Sequence, residues 1–415
     1  MRQYDVVIVG GGAAGLAAAL EANNQGSSVL LLERNPEIGG ILLQCIHEGF
    51  GNFIFQEMLT GPTYAQRFID LIKQSNVVIK VNTTVIDIEP SRCIMAMNNE
   101  DGLFQIQAKS IILSMGCQER TRTQAMLPGM RPSGVYTAGC VQRMINIEGV
   151  MPGRNIVILG SGDVGLIMAR RLTLEGAQVL GVFERCSEPG GLTRNIVQCL
   201  DDYEIPLFLD HTITFIHGKN RVSGVTISQV EQGKPVSGSE KHISCDCVVL
   251  AVGLRPDVTL LDDTQIKVDS RTQGPSIDSS FQTSLEGVFA CGNVVTVFDV
   301  VDDVSETGKR AGVFASKFAK GLFLNDTKIL VSIDDQFSSV IPQTICTLSE
   351  DVKLYLRPQR RIENVVLKIK DGAEVLVEKQ VRIMKPSEMI VVNIASEKLH
   401  QIKGSQLYIG VDVTK

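Results

Sequence analysis

The sequence predicts an α/β protein: two doubly wound parallel folds, followed by a small β-rich C-terminal segment. Three observations predict it. A strand–glycine turn–helix–strand–acid pattern runs from Asp5 to Glu33. The same pattern recurs from Asn155 to Glu184. Short alternating apolar runs then replace it from residue 328 to residue 415. The chain has 415 residues, 44% hydrophobic and 21% charged. That is ordinary globular composition with room for two or three domains.

The first pattern begins with the β-branched run Asp5-Val6-Val7-Ile8-Val9, which reads as a buried parallel strand. Gly10-Gly11-Gly12-Ala13-Ala14-Gly15 follows, then a helical run from Leu16 to Glu21. A second apolar strand, Ser28 to Leu32, ends at Glu33-Arg34. Each glycine has a separate task. Gly10 permits the tight turn, Gly12 lets a pyrophosphate approach the backbone, and Gly15 lets helix and strand pack closely. The helix N-terminus adds unpaired N–H groups and a positive dipole. Glu33 stands about 20 residues past the first glycine, where a carboxylate accepts from ribose hydroxyls. This is the Rossmann-like dinucleotide fingerprint in full context.

The second pattern runs Asn155 to Leu159, then Gly160-Ser161-Gly162-Asp163-Val164-Gly165. The helix Leu166 to Glu175 and the strand Gln178 to Phe183 lead to Glu184-Arg185. Two complete fingerprints imply two dinucleotides on one chain. A duplicated module with one ligand would not explain why both acids stand at the right spacing.

The C-terminal runs are Val352 to Leu356, Asn364 to Ile369, Glu374 to Val377, Met389 to Asn393 and Gln406 to Val411. Asp371-Gly372 is a hairpin signal between two of them. A small β-sandwich for packing or docking is expected.

Composition excludes other classes. With 46 acidic and 40 basic side chains, the formal net charge is −6, which argues against nucleic acid or an anionic membrane as partner. No apolar stretch is long enough to span a bilayer. The chain enters a strand directly at Asp5, so no secretory leader is expected. The ten cysteines are scattered, and a cytoplasmic, reducing location with mostly buried thiols is expected. Cys245-Asp246-Cys247 is too tight for a zinc knuckle and no second pair answers it, so no metal is expected.

With these motifs the chain resembles the flavoprotein pyridine-nucleotide oxidoreductases, the group containing glutathione and thioredoxin reductases. Further segments agree: Gly39-Gly40 after the first acid, Ile111 to Gly116, Val248 to Pro256 with Gly253 inside it, and Thr283 to Asn293. The resemblance implies that the first fingerprint holds FAD and the second NAD(H). It implies a split FAD-binding domain at 1–120 and 257–325, an inserted NAD-binding domain at 121–256, and a C-terminal β domain at 328–415. For FAD it points to Gly10, Gly12, Ala13, Ala14, Gly15, Glu33, Arg34, Gly39, Gly40, Gln44, Val85, Ser114, Met115, Gly116, Gly292, Asn293 and Val304. For NAD it points to Gly160, Gly162, Asp163, Val164, Gly165, Glu184, Arg185 and Gly253. The helix opened near Val304 and Ser305 is expected to aim its N-terminus at the flavin.

Three departures sharpen the reading. Cys45 has no second cysteine until Cys93, and Cys245 and Cys247 precede a strand whose alternate residues face apart. A dithiol relay is therefore not expected. Asn293 replaces the family's aspartate, keeping an acceptor and removing a charge. The C-terminal segment is shorter than the dimerisation domain of the dithiol reductases that carry their cysteines after the Gly-Gly. Together with Gly39-Gly40-Ile41-Leu42-Leu43-Gln44-Cys45-Ile46-His47, this looks most like the NADH-oxidising flavoprotein subunits of anaerobic glycerol-3-phosphate, opine and amino-acid dehydrogenase systems.

The implied activity is hydride transfer from NADH to flavin, then electron transfer to an external acceptor or to a partner, a substrate-oxidising flavoprotein subunit. Self-association is the competing use of the C-terminal segment. Cys45 and His47 are candidate catalytic residues beside the isoalloxazine, as proton donor or tuning thiolate, against a purely packing role. The competing functions are a stand-alone NADH oxidase using oxygen and a non-catalytic flavin-binding scaffold. The fingerprint at Gly10 to Gly15 with Glu33 reads an adenosine half that FMN lacks. Cofactor released from the purified protein should therefore chromatograph as FAD; FMN would contradict the assignment.

Overall fold

The computed structural model describes residues 2–322, 327–347 and 349–413. The expected boundary at 325 and the last two residues of the C-terminal segment fall outside the described residues. The chain forms two compact units, Met1–Cys117 with Arg255–Lys415, and Gln118–Leu254.

The first unit is built on a seven-stranded sheet. Its parallel strands lie in the order Val78–Lys80, Val29–Leu32, Arg2–Val9, Gly102–Leu113 and Val288–Ala290. The strand Gly102–Leu113 is long enough to serve two neighbours on one edge. Its first half pairs antiparallel with Cys93–Asn98, and its last residues pair with Val288–Ala290. Thr84–Ile88 completes the antiparallel part. These two antiparallel strands carry weaker alternation and escaped the sequence reading.

The helix Ala13–Asn24 is nearly all small residues, and its buried face explains why. A Cβ on Gly308 would run into the Ala14 carbonyl oxygen, and one on Gly312 would stop 2.6 Å from the Ala18 carbonyl oxygen. The long helix Val301–Ala319 therefore lies almost backbone to backbone on the fingerprint helix. Small residues at such a crossing exchange side-chain burial for close approach.

The C-terminal segment is a sandwich of a five-stranded and a three-stranded sheet. Its alternation points inward: Val352, Leu354 and Leu356 from one sheet face Val365, Leu367, Ile369, Leu407 and Ile409 from the other. The strands Ile362–Asp371 and Glu374–Met384 form the hairpin around Gly372. The strands Ile329–Ile333 and Phe337–Ile341 were not foreseen.

Although it has its own core, the segment clusters with the first unit rather than apart from it. Tyr355 is 2% exposed and packs edge-on against Phe298, ring centres 5.1 Å apart. Arg357 pairs with Asp299 at 2.7 Å, and the Met389 N–H donates to the other oxygen of Asp299 at 2.6 Å. Phe298 and Asp299 lie just past Asn293. Cutting the chain near Lys328 would strip these groups of their cover.

The second unit has a five-stranded, all-parallel sheet in the order Val135–Thr137, Cys247–Leu250, Asn155–Leu159, Gln178–Phe183 and Leu207–Phe208. The helices Ala138–Asn146 and Asp163–Leu174 pack on one face. An antiparallel sheet of His211–His217, Gly224–Glu231 and Lys241–Ile243 covers the other. Among the described residues no helix is long and apolar enough to cross a membrane.

Replacing Tyr355 with Ala should cost about 3–5 kcal/mol, as for other large buried aromatics. Chemical denaturation followed by circular dichroism checks it. An unchanged midpoint would mean that the sandwich is not anchored through this ring.

Candidate functional site

Both units place a glycine turn at the carboxyl end of their first fingerprint strand. In the first unit the strand order reverses between Arg2–Val9 and Gly102–Leu113, so the crevice for a ligand opens there. The Ser114 hydroxyl closes the gap between the two strand ends, at 2.9 Å from both the Val9 and Gly10 carbonyl oxygens. Gly10 has φ +103°, and a Cβ there would sit 2.6 Å from the Ser114 carbonyl oxygen. A Cβ on Gly15 would come within 2.8 Å of the Ser114 hydroxyl. On Gly12 it would meet nothing within 4 Å. Two glycines are thus required by the protein itself, and the third faces open space at a helix N-terminus. Open space at a helix N-terminus is where backbone N–H groups and the dipole favour an anion such as a phosphate.

The acid closes the cradle. Glu33 is 5% exposed. One of its oxygens accepts the Gly11 N–H at 2.8 Å and the other accepts the Asn35 N–H at 2.8 Å. The Gly39 N–H donates to the Gly11 carbonyl at 2.8 Å, and a Cβ on Gly40 would stand 3.0 Å from the Gly12 Cα. On the far side the Gly292 N–H donates to the Thr307 hydroxyl at 2.9 Å. A Cβ on Gly292 would lie 2.7 Å from the Ala14 Cβ and 3.2 Å from a Val304 methyl. The structure therefore brings Gly10, Gly12, Ala13, Ala14, Gly15, Glu33, Gly39, Gly40, Ser114, Gly292 and Val304 to one place. Met115 and Gly116 continue from Ser114, with the Gly116 carbonyl accepting the Asp257 N–H at 3.0 Å. Val85 lies on Thr84–Ile88, which starts beside the acid: the Thr83 N–H donates to the Glu33 carbonyl at 2.9 Å. Arg34 is exposed.

Three details correct or refine the sequence reading. The Asn293 side-chain oxygen accepts the Phe298 N–H at 3.1 Å, so this residue shapes its own loop. The long helix Val301–Ala319 opens at Val301, and Asp302 and Asp303 stand in its first turn. Asp302 accepts the Ile54 N–H at 3.0 Å and Asp303 pairs with Lys353 at 2.9 Å. These carboxylates offset the positive end of the helix dipole that was expected to face the flavin. Cys45 ends the short turn Gly40–Gln44, which also buries Gln44, and its thiol points to the Ile41 carbonyl at 3.3 Å. His47 stands 3.0 Å from the Glu48 carbonyl and leans on Phe50, ring centres 5.1 Å apart.

The second unit repeats the cradle. Gly160 has φ +100° and abuts the Ala251 carbonyl, and a Cβ on Gly165 would stand 2.6 Å from the Gly160 carbonyl oxygen. A Cβ on Gly162 would meet nothing within 4 Å. One oxygen of Glu184 accepts the Ser161 N–H at 2.9 Å and its hydroxyl at 2.7 Å. The other accepts the Cys186 N–H at 3.0 Å. Asp163, in the first helical turn beside Val164, accepts the Leu192 N–H at 2.8 Å and the Asn195 amide at 2.6 Å. The Arg185 guanidinium donates to the Gly233 carbonyl. The Gly253 carbonyl accepts the Arg120 N–H at 3.0 Å.

Sequence reasoning missed Ser161 and a second glycine pair, Gly190-Gly191. The signal was present. The two segments align without a gap from Gly10 and Gly160 to Gly26 and Gly176. After Gly181, where the strand register shifts, they align again from Glu33-Arg34 and Glu184-Arg185 to Gly39-Gly40 and Gly190-Gly191. The repeat is longer than the fingerprint. Among the described residues no cluster of three or more His, Cys, Asp or Glu could hold a metal.

Residues 4–313 match the family model described as pyridine nucleotide-disulphide oxidoreductase. The chain belongs to this family. It is an FAD-dependent NAD(P)H oxidoreductase, as the family's members are. It is similar to an opine oxidase subunit of Agrobacterium tumefaciens (strain Ach5), 25% identical over 359 residues, covering 81% of this chain and 68% of that relative. It is also similar to a hydrogen cyanide synthase subunit of Pseudomonas protegens, 30% identical over 186 residues, covering 44% of this chain but only 38% of the relative. Among solved structures, T. acidophilum thioredoxin reductase superposes with a TM-score of 0.63 and 25% identity, covering 78% of this chain and all of that one. The family match ends at residue 313, before the first strand of the sandwich.

Both cradles can be tested separately. A Cβ at Gly12 or Gly162 meets no protein atom within 4 Å, so Gly12→Val and Gly162→Val push into the open space. The first should give folded protein that has lost its flavin. The second should keep flavin and lose NAD(P)H binding. Circular dichroism and flavin absorbance per chain distinguish these outcomes from misfolding.

Proposed function

We propose that this oxidoreductase takes a hydride from NADH in the Gly160–Glu184 cradle, and that the flavin held by the Gly10–Glu33 cradle passes the electrons to a partner subunit. The observation that carries this reading is the pair of equivalent cradles, each with one glycine facing open space and one acid fixed by backbone N–H groups. When bound, the flavin supplies a hydride acceptor that can also release electrons one at a time.

The residues of the chain bind, orient and select. Glu33 and Glu184 are held to receive ribose hydroxyls. A carboxylate at Glu184 repels a 2′-phosphate, which favours NADH over NADPH. Arg185 could have received that phosphate, but its guanidinium is turned to the Gly233 carbonyl of the hairpin turn. Gly39, Gly40, Ser114 and Gly292 bring backbone close around the flavin cradle, and Cys45 and His47 follow directly on its glycine pair.

Electron exit without a thiol relay is supported by the cysteines themselves. Cys245 lines the core on one face of the second unit's sheet and Cys247 the core on the other. Burial, with Asp246 alongside, pushes the Cys245 thiol up to about 12, and burial pushes Cys247 up to about 12 as well. Thiols in that range are poor nucleophiles at neutral pH. A partner is supported by the relatives, whose names mark them as subunits. The C-terminal sandwich, fixed to the flavin unit, is the proposed docking element, and a cytoplasmic location goes with the reading.

Two measurements test it. Glu184→Ser should shift the ratio of kcat/KM for NADH over NADPH toward NADPH by about 1–3 kcal/mol, the loss of a hydrogen bond to a charged group together with a repelling charge. An unchanged ratio would mean that other residues read the nucleotide. Cys45→Ser should leave the rate of flavin bleaching by NADH in rapid mixing nearly intact. Loss of the fast phase would assign Cys45 to the chemistry.

A further inference from the structure

The two glycine turns differ at three positions, and at one of them the side chain bonds the acid of its own cradle. Residue 11 is glycine and residue 161 is serine, at equivalent positions of the repeat. Ser161 is fully buried. Its hydroxyl donates to Glu184 at 2.7 Å and accepts the Gly190 N–H at 2.9 Å. In the first unit the corresponding Gly39 N–H uses the Gly11 backbone carbonyl instead.

The consequence is a difference in free acceptor capacity. An ionised carboxylate offers about four acceptor positions. Glu33 commits two of them, to the Gly11 and Asn35 N–H groups. Glu184 commits those same two, to the Ser161 and Cys186 N–H groups, and a third to the buried Ser161 hydroxyl, while the exposed Cys186 thiol also reaches the carboxylate. Both carboxylates are already oriented by a backbone donor on each oxygen, so the hydroxyl is not needed to aim Glu184. It is not needed to hold the glycine-pair loop either. That loop is also tied to Asp163 through Leu192 and Asn195, and its twin closes without any hydroxyl.

Resting on the two-nucleotide reading above, we infer that Ser161 is the residue that makes the second cradle an exchange site. By occupying an acceptor of Glu184 it leaves the adenosine ribose fewer hydrogen bonds than Glu33 leaves in the first. The same backbone frame then retains FAD in one unit and releases the spent nicotinamide nucleotide from the other. Ser161 acts through Glu184 and is a specificity-tuning, positioning residue.

The test uses full-length, FAD-saturated protein and calorimetric titration with ADP and with 2′,3′-dideoxy-ADP. Ser161→Ala and Ser161→Gly should both bind ADP roughly three- to tenfold more tightly than wild type, the range of one hydrogen bond. Their affinity for 2′,3′-dideoxy-ADP, which lacks both hydroxyls Glu184 would receive, should stay at the wild-type value. Flavin content should stay constant across the series. Equal or weaker ADP binding in both variants would overturn the inference. A gain of the same size for 2′,3′-dideoxy-ADP would also overturn it, since it would come from pocket shape rather than from the freed acceptor. Wild-type protein that binds neither ligand would defeat the two-nucleotide reading itself, and the inference with it.

Discussion

Each unit depends on a carboxylate that reaches back from the end of one strand to the backbone of the preceding glycine turn. Glu33 holds the Gly11 N–H and Glu184 holds the Ser161 N–H. A carboxylate withdrawn from water must be given donors, and here the donors are main-chain groups that cannot leave. The bond fixes the turn, the turn fixes the start of the helix, and the helix start leaves its N–H groups facing the space beyond Gly12 and Gly162. The acid and the glycine turn are one mechanical object, built twice.

The glycines follow from that object. Gly10 and Gly15 have no room for a side chain, whereas Gly12 has room that the protein leaves unfilled. The demand for close approach spreads outward to Gly308 and Gly312, which set the long helix Val301–Ala319 on the fingerprint helix. That helix continues the frame toward Asp299, Phe298 and the sandwich. The C-terminal segment is therefore tied to the flavin unit by Tyr355, Arg357 and Met389 rather than hung from a linker.

Much of this was legible in the residues. Both fingerprints, both acids and the inward alternation of the sandwich stand in the sequence because period and spacing encode them directly. Other features were not legible, for physical reasons. The strands Thr84–Ile88 and Cys93–Asn98 form an antiparallel flap whose partners are set by tertiary pairing rather than by strong alternation. The roles of Asp302, Asp303 and Arg185 depend on distant partners, Ile54, Lys353 and Gly233, that no local pattern announces. Ser161 escaped because its position tolerates any small residue as far as the fingerprint is concerned. Its effect shows only beside Glu184 and Gly190.

In the proposed reaction two nucleotides on one chain exchange a hydride with no thiol pair as intermediate store. Anaerobic titration of the FAD-loaded protein with NADH decides this, with free thiols counted before and after. The flavin should be fully bleached by one NADH per flavin, with no change in thiol count. Uptake of a second equivalent with the appearance of two new thiols, or a flavin that NADH leaves oxidised, would contradict it.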